Sequence, residues 1–247
     1  MLNAELFTDV GFYREQNEDA GGIFFNQTQQ QLIVVCDGMG GHQAGEVASQ
    51  FVVEALQSRF EEENYIEQER AETWLKHTLQ TINRELFQLS ESQPSYKGMG
   101  TTCVCALVYD HHIVVANIGD SRAYLVNGRH FNQVTIDHTF VNQLVMLGQI
   151  TEEEALHHPR RNIITKVMGT DRRVSPDVFT KRIHFYQYLL LNSDGLTDYV
   201  PLKEIHNVLK SNATLAEVGE AILELAKSYE AKDNTSFILA EIAGEPV

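Results

Sequence analysis

The sequence predicts an α+β fold, and three observations predict it. Strand-like apolar runs recur along the whole chain. Two long helical periods interrupt them early. A third helical period, carrying its own cap, precedes the last strand-like run.

The chain opens with strand signals at Leu6 to Thr8, Gly22 to Asn26 and Gln31 to Asp37. Such runs suit strands with one or both faces buried. From Ala44, apolar residues fall at Ala44, Val47, Ala48, Phe51, Val52, Ala55 and Leu56, the spacing of one helical face. A second such face runs through Ala71, Trp74, Leu75, Leu79, Ile82, Leu86 and Leu89. Between them, Glu61 to Glu72 carries six glutamates and reads as a solvated helix end and loop. Strand signals resume at Thr101 to Tyr109, Ile113 to Ile118, Ser121 to Val126, Val174 to Ile183 and Tyr188 to Asn192. Thr214 with Glu217 forms a capping box, and Leu215, Val218, Ile222 and Leu225 follow on one helical face. Thr235 to Ile242 closes the series. Helices on the outer faces of packed antiparallel sheets satisfy these patterns, and so do other α+β layouts.

At 247 residues and 43% hydrophobic content, the chain supports one sizeable core, so residues 1–247 are expected to form a single domain. The net charge of -15, from 34 acids against 19 bases, argues against a nucleic-acid partner, which would favour a basic stripe. The longest apolar run near the N-terminus is Leu32 to Cys36, far short of the roughly 18 to 20 residues of a membrane span. No charged-then-apolar leader is present, so no signal peptide is expected. Cys36, Cys103 and Cys105 lie within strand-like runs and read as small core residues in a reducing cytoplasm. A Cys-x-Cys metal site would need a second ligand pair, which is missing.

Five motifs place acids beside these runs: RxxNED (Arg14 to Asp19), VCDGMGGH (Val35 to His42), NIGDSR (Asn117 to Arg122), NSDGLTD (Asn192 to Asp198) and KDN (Lys232 to Asn234). Three of them set an aspartate at the tip of a strand: Asp37, Asp120 and Asp194. Asp233 leads into the final one. A turn aspartate is ordinary when taken alone. Four in this pattern point to carboxylates that converge, and converging carboxylates repel unless cations sit between them. Oxygen donors of this kind favour hard ions such as magnesium or manganese. The glycines after Asp37 permit close approach of the backbone, whether to a ligand or simply between strand and helix. They make no P-loop, since no Lys-Ser/Thr pair follows, and the spacing of a dinucleotide fingerprint is lacking. Arg14 can grip a phosphate with its planar fork, or pair with a neighbouring acid.

Together these motifs resemble the metal-dependent serine/threonine protein phosphatases of type 2C, most closely those of Gram-positive, staphylococcal-like bacteria. GMGTT (Gly98 to Thr102), T-x-DHT (Thr135 to Thr139) and MGT (Met168 to Thr170) extend the resemblance, which covers about Phe7 to Ala240. It implies a four-layer αββα sandwich of two antiparallel sheets flanked by helix pairs, with a flap subdomain over about 140–170. It implies two core Mn2+ or Mg2+ ions, with Asp37 bridging, the Gly38 carbonyl on the first, and Asp194 and Asp233 on the second. Glu18 and Asp19 would hold waters around the metals, and Asp120 with Asp194 a third ion. Arg14 would bind the substrate phosphate, and a metal-activated water would hydrolyse phosphoserine or phosphothreonine. The enzyme would be a cytoplasmic monomer that opposes a membrane-bound Ser/Thr kinase, acting on that kinase and its substrates.

One position departs from the family. Many eukaryotic members place a histidine directly after the Asp-Gly pair, where this chain has Met39. His42, three residues on, would act as general acid, cap the helix or contact phosphate. A water at the metals is the alternative acid. Within the flap, His157 to Arg173 is locally basic, with Arg160, Arg161, Lys166, Arg172 and Arg173 against Asp171. Arg161 is the candidate there for recruiting acidic or phosphorylated segments, against the plainer reading of a solvated basic stretch. Two other classes compete with an active phosphatase. A non-catalytic phosphoprotein-binding module would not need clustered carboxylates. A nucleotide- or calcium-binding protein would need a Walker lysine or a D-x-D-x-D-G loop, and the chain has neither.

Overall fold

The computed structural model describes residues 1–40, 44–211 and 213–242. Strand β1 (Asn3–Asp9) is followed by β2 (Asp19–Phe25), β3 (Gln31–Met39) and the helices α1 (Ala44–Glu61) and α2 (Gln68–Ser92). Then come β4 (Gly100–Thr101), β5 (Cys103–Val108), β6 (His112–Ile118), β7 (Arg122–Val126) and β8 (Phe131–Gln133). The flap segment holds α3 (Phe140–Met146) and α4 (Glu152–Leu156). The chain ends with β9 (Asp177–Arg182), β10 (Tyr188–Asn192), α5 (Asp194–Thr197), α6 (Leu202–Leu209), α7 (Leu215–Ser228) and β11 (Thr235–Glu241).

Two antiparallel sheets result. One has the order β1-β11-β10-β7-β8. The other has β2-β3-β5-β6-β9, with β4 on the end of β3. Alternation along each strand builds three core layers. On β3, Leu32, Val34 and Cys36 face α1 and α2, while Ile33 and Val35 face the other sheet. On β11, Phe237 and Leu239 face α6 and α7, while Ile238 and Ala240 face inward. The helices answer with matching stripes, Ala48, Val52 and Leu56 on α1 and Leu215, Val218 and Ile222 on α7. The fold is thus the αββα sandwich that the resemblance implies. Cys36, Cys103 and Cys105 are free and buried in the layer beneath α1 and α2.

Several elements differ from the sequence reading. The expected strand from Thr101 to Tyr109 breaks at Thr102, whose hydroxyl is diverted to Ser121 Oγ at 2.6 Å. β3 runs two residues beyond Asp37 because Gly38 and Met39 pair with Thr101 and Gly100. The short elements β8, α3, α4, α5 and α6 carried too few periodic residues to register. α6, for example, buries only Ile205 and Leu209. The capping box of Thr214 and Glu217 forms as expected, with both reciprocal bonds present.

Candidate active site

The strand register brings the acids to one edge of the sandwich. Asp19 opens β2 directly opposite Asp37 on β3. Asp9 at the end of β1 faces Thr235 at the start of β11, just after Asp233. Asn192, ending β10, pairs with Phe237 on one side and Arg122 on the other. That register puts Asp194 beside Asp233 and Asp120. The chain crosses between the sheets at this same edge, in the loop 10–18 and in the turn 119–121.

The carboxylates perturb one another. Burial pushes Asp37 well above the usual carboxylate range, and the charges of Asp19, Asp194, Asp120 and Asp233 add to the effect. Burial, with Asp194 and Asp233, raises Asp19 to about 7 despite hydrogen bonds from Ser193 and Ser236. Asp120 is raised to about 8 by burial and by Asp194 and Asp137, and Asp194 to about 6 by burial and by Asp198 and Asp233. Glu18 is also raised, chiefly by burial. Burial first, and then mutual repulsion, raise these carboxylates together, and a cation among them would relieve both. Asp120 is buried, and its Oδ1 has no hydrogen-bond partner. Among the described residues no three such side chains are already drawn into a closed cage. The donor set, all oxygen and with acids outnumbering the cations Arg14 and Arg122, nonetheless suits hard divalent ions.

Local sequence fixes each acid. Asp37 N–H donates to Thr102 Oγ1 at 2.9 Å, and Thr101 Oγ1 donates to the Asp37 carbonyl at 2.9 Å. The GMGTT motif therefore grips the Asp37 backbone from both sides. A Cβ on Gly38 would collide with the carbonyls of Gly45 and Glu18, so glycine is required there for α1 to seat against β3. Asn234 latches the loop carrying Arg14: its Oδ1 accepts from Glu18 N–H at 2.9 Å, and its Nδ2 donates to the Val10 and Gln16 carbonyls, each at 3.0 Å. Ser193 Oγ donates to Asp19 Oδ2 at 2.8 Å. Arg14 Nη2 donates to Asp233 Oδ2 at 2.7 Å. Burial disfavours the Arg14 charge, but Asp233 more than offsets this and raises its pKa.

With the geometry in view, comparison with known proteins decides the family. A family model described as protein phosphatase 2C matches residues 14–239. The chain belongs to the protein phosphatase 2C family. It is 42% identical over 241 residues to the serine/threonine phosphatase stp of Listeria monocytogenes, covering 97% of this chain and 96% of that one. Its structure resembles that of the serine/threonine phosphatase Stp1 from Staphylococcus aureus, with a TM-score of 0.96, 60% identity and coverage of 99% and 96%. It also resembles the catalytic domain of the serine/threonine protein phosphatase PstP in complex with two manganese ions, with a TM-score of 0.83, 32% identity and 97% coverage of each chain. The enzyme is thus a serine/threonine protein phosphatase of the 2C type.

In this phosphatase, Arg14, Glu18, Asp19, Asp37, Gly38, Asp120, Asp194 and Asp233 share the edge. His42 lies outside the described residues. Arg161 is apart from the carboxylates of β3 but lines a cavity of about 500 Å³ that also takes in Asp120 and Asp198. Its Nη1 donates to the Leu156 carbonyl at 3.2 Å. The basic stretch of the flap is less free than its composition suggests. Lys166 lies between His138 Nε2 at 3.0 Å and Asp177 Oδ1 at 2.9 Å, and Arg160 covers the Phe140 ring at 5.7 Å.

Two residues with roles at the site escaped the sequence reading. Arg122 pairs with Asp137 at 2.8 Å and Asp198 at 3.0 Å, and its charge works against the rise of Asp120 and Asp194. His138 Nδ1 accepts from Gly119 N–H at 2.9 Å and so pins the turn that carries Asp120. Its Nε2 lies 3.1 Å from Asp177 Oδ2. The imidazole is neutral with its proton on Nε2, since Nδ1 accepts; burial, with Lys166 nearby, lowers its pKa. Both residues sit inside motifs already noted, NIGDSR and T-x-DHT, but the pairing partners are remote in sequence.

Proposed function

We propose that this edge hydrolyses phosphoserine and phosphothreonine in proteins with the aid of hard divalent cations, manganese or magnesium. One observation carries the reading: four buried or half-buried aspartates, Asp19 on β2, Asp37 on β3, Asp120 on the turn 119–121 and Asp194 at the start of α5, have their pKa raised by burial and by neighbouring carboxylates, beside an arginine paired with Asp233. Asp37, Asp194, Asp233 and the Gly38 carbonyl would hold two ions. Asp120 with Asp194 would hold a third, and Glu18 and Asp19 would support the shell around them. The bound ions would supply an activated water and neutralise charge on the phosphoryl group. Arg14 uses Nη2 on Asp233, which leaves other donors of its fork for phosphoryl oxygens. Thr101, Thr102 and Asn234 keep Asp37 and the Arg14 loop in place while charge moves between substrate and product.

In this reading residues 1–247 act as one catalytic unit, with the flap over about 140–170 and Arg161 on its substrate side. The enzyme would be a cytoplasmic monomer that reverses a Ser/Thr kinase and acts on its targets. Three free, buried cysteines support a reducing compartment. No helix among the described residues is long and apolar enough to cross a membrane. The test is removal and return of metal. Exhaustive chelation, checked by elemental analysis, should abolish hydrolysis of an aryl phosphate, and manganese should restore it, with calorimetry recording its binding. Full turnover by verified metal-free protein would overturn the metal reading.

A further inference from the structure

A second groove adjoins the carboxylate edge at Arg14 and Glu18. It measures about 670 Å³ and is lined by Arg14, Glu15, Glu18, Gly40, Ser95 and Tyr96, among others. Arg14 is the only cation among its described lining residues, and Glu15 and Glu18 are acids. Glu46, near Glu18 on α1, adds to the negative potential there. The far wall is firm. Tyr96 packs against the core layer beneath α1 and α2, and Met99 N–H donates to its carbonyl at 3.0 Å. Two residues on, Thr101 grips Asp37. The wall is therefore tied through a short segment to the backbone that positions the reacting edge.

A phosphoserine or phosphothreonine whose phosphate reaches Arg14 must lay its neighbouring residues close by. We propose that this groove receives those residues and favours a lysine or arginine side chain beside the phosphorylated one. The inference rests on the reading of Arg14 as the phosphate ligand. Charge complementarity selects the occupant: besides Arg14, the described lining offers two acids, Glu15 and Glu18, and the half-buried ring of Tyr96. A cationic side chain can pair with Glu15 and lie against Tyr96. An acidic side chain would meet like charge.

The test uses three phosphopeptides of one sequence that differ only beside the phosphoserine, with Lys, Ala or Glu. They are compared by kcat/KM on the metal-loaded enzyme and by equilibrium binding to Asp37→Asn protein. Glu15 is exposed and has no part in the carboxylate edge, so its variants should fold and hydrolyse a small aryl phosphate normally. An exposed pair of this kind should give a preference of about three- to fivefold for Lys over Ala. Glu15→Gln should remove most of it and Glu15→Lys should invert it, and added salt should weaken it. Equal use of the three peptides by the wild type, or a Lys preference unchanged in both Glu15 variants, would overturn the proposal. If no peptide is hydrolysed but binding still ranks Lys over Ala over Glu in a Glu15-dependent way, the groove stands and the hydrolytic reading falls. If Arg14→Ala leaves peptide binding intact, the phosphate anchor is wrong and the proposal falls with it.

Discussion

The carboxylate edge and the flap are built by opposite means. At the edge the acids sit on strands, on the tight turn between two strands, or at a helix start: Asp19 on β2, Asp37 on β3, Asp120 between β6 and β7, and Asp194 at the start of α5. Asp37 is held by the hydroxyls of Thr101 and Thr102, and Asp19 by strand register and Ser193. The flap contains two short helices, and Met146, Leu147 and Leu156 are exposed. It is tethered at its base by the Thr139–Ile164 and Thr101–Met168 bridges and by His138, whose carbonyl accepts from Thr165 N–H at 2.7 Å. Groups that must hold charge within tenths of an ångström sit where the backbone is over-determined. The segment over about 140–170, proposed to meet protein substrates, sits where few contacts fix the backbone.

The largest expected effect breaks the edge. Asp37→Asn keeps size and backbone bonds but removes the full negative charge that Asp37 would offer to the cations. Turnover should fall about 10³-fold or more on every substrate, with manganese affinity falling in parallel. Near-normal turnover by a folded Asp37→Asn enzyme would show that Asp37 is not the shared ligand.

Asp120→Ala comes next. Asp120 stands on the turn pinned by His138 rather than inside a paired strand, so the two-ion core should survive. Turnover should drop about 10- to 100-fold on aryl phosphate and phosphoprotein alike, and one manganese of weaker affinity should be lost by calorimetry. Retention of every manganese site in Asp120→Ala would remove the third-ion assignment.

Much of this division was legible in the sequence. The strand-then-aspartate pattern marked Asp37, Asp120 and Asp194, because a buried strand announces itself by Val, Ile and Leu and its tip follows directly. The convergence itself was not written locally. It depends on pairings such as Asp19 with Asp37 and Asn192 with Arg122, which join residues far apart in the chain. The basic flap misled for the same reason. Lys166 counts as a free charge until Asp177, on β9, is seen to neutralise it. Arg122 likewise shows its role only once Asp137 and Asp198, remote in sequence, are seen to pair with it.

A smaller effect separates the regions by pH. Asp19, Asp120 and Asp194 have folded pKa values raised to about 7, 8 and 6, and Asp37 is raised as well. Between the unfolded carboxylate range and these values the native state holds more protons than the unfolded one, so stability falls as pH rises. His138, with its pKa lowered, works the other way near pH 6, so the comparison must be made with and without metal. Chelated protein should gain several degrees in melting temperature on going from pH 8 to pH 6, relative to manganese-loaded protein over the same span. An identical pH dependence in both forms would mean that the carboxylates are not repelling one another in the metal-free state.

The smallest effect probes the flap. Arg161 is exposed, donates to the Leu156 carbonyl and lines the cavity shared with Asp120. A small aryl phosphate needs only Arg14 and the edge, so Arg161→Ala should change its hydrolysis by less than about twofold. A phosphoprotein large enough to reach the flap loses an exposed charge contact, which amounts to a few-fold in kcat/KM, about fivefold at most. The ratio of the two activities is therefore the informative quantity, because it cancels differences in active fraction and metal loading. In Asp120→Ala that ratio should stay near the wild-type value, and in Arg161→Ala it should shift toward the small substrate. Equal loss on both substrates in Arg161→Ala would instead mean that the flap supports the turn of Asp120 through their common cavity, and the line between a rigid edge and a selective flap would have to be drawn further out along the chain.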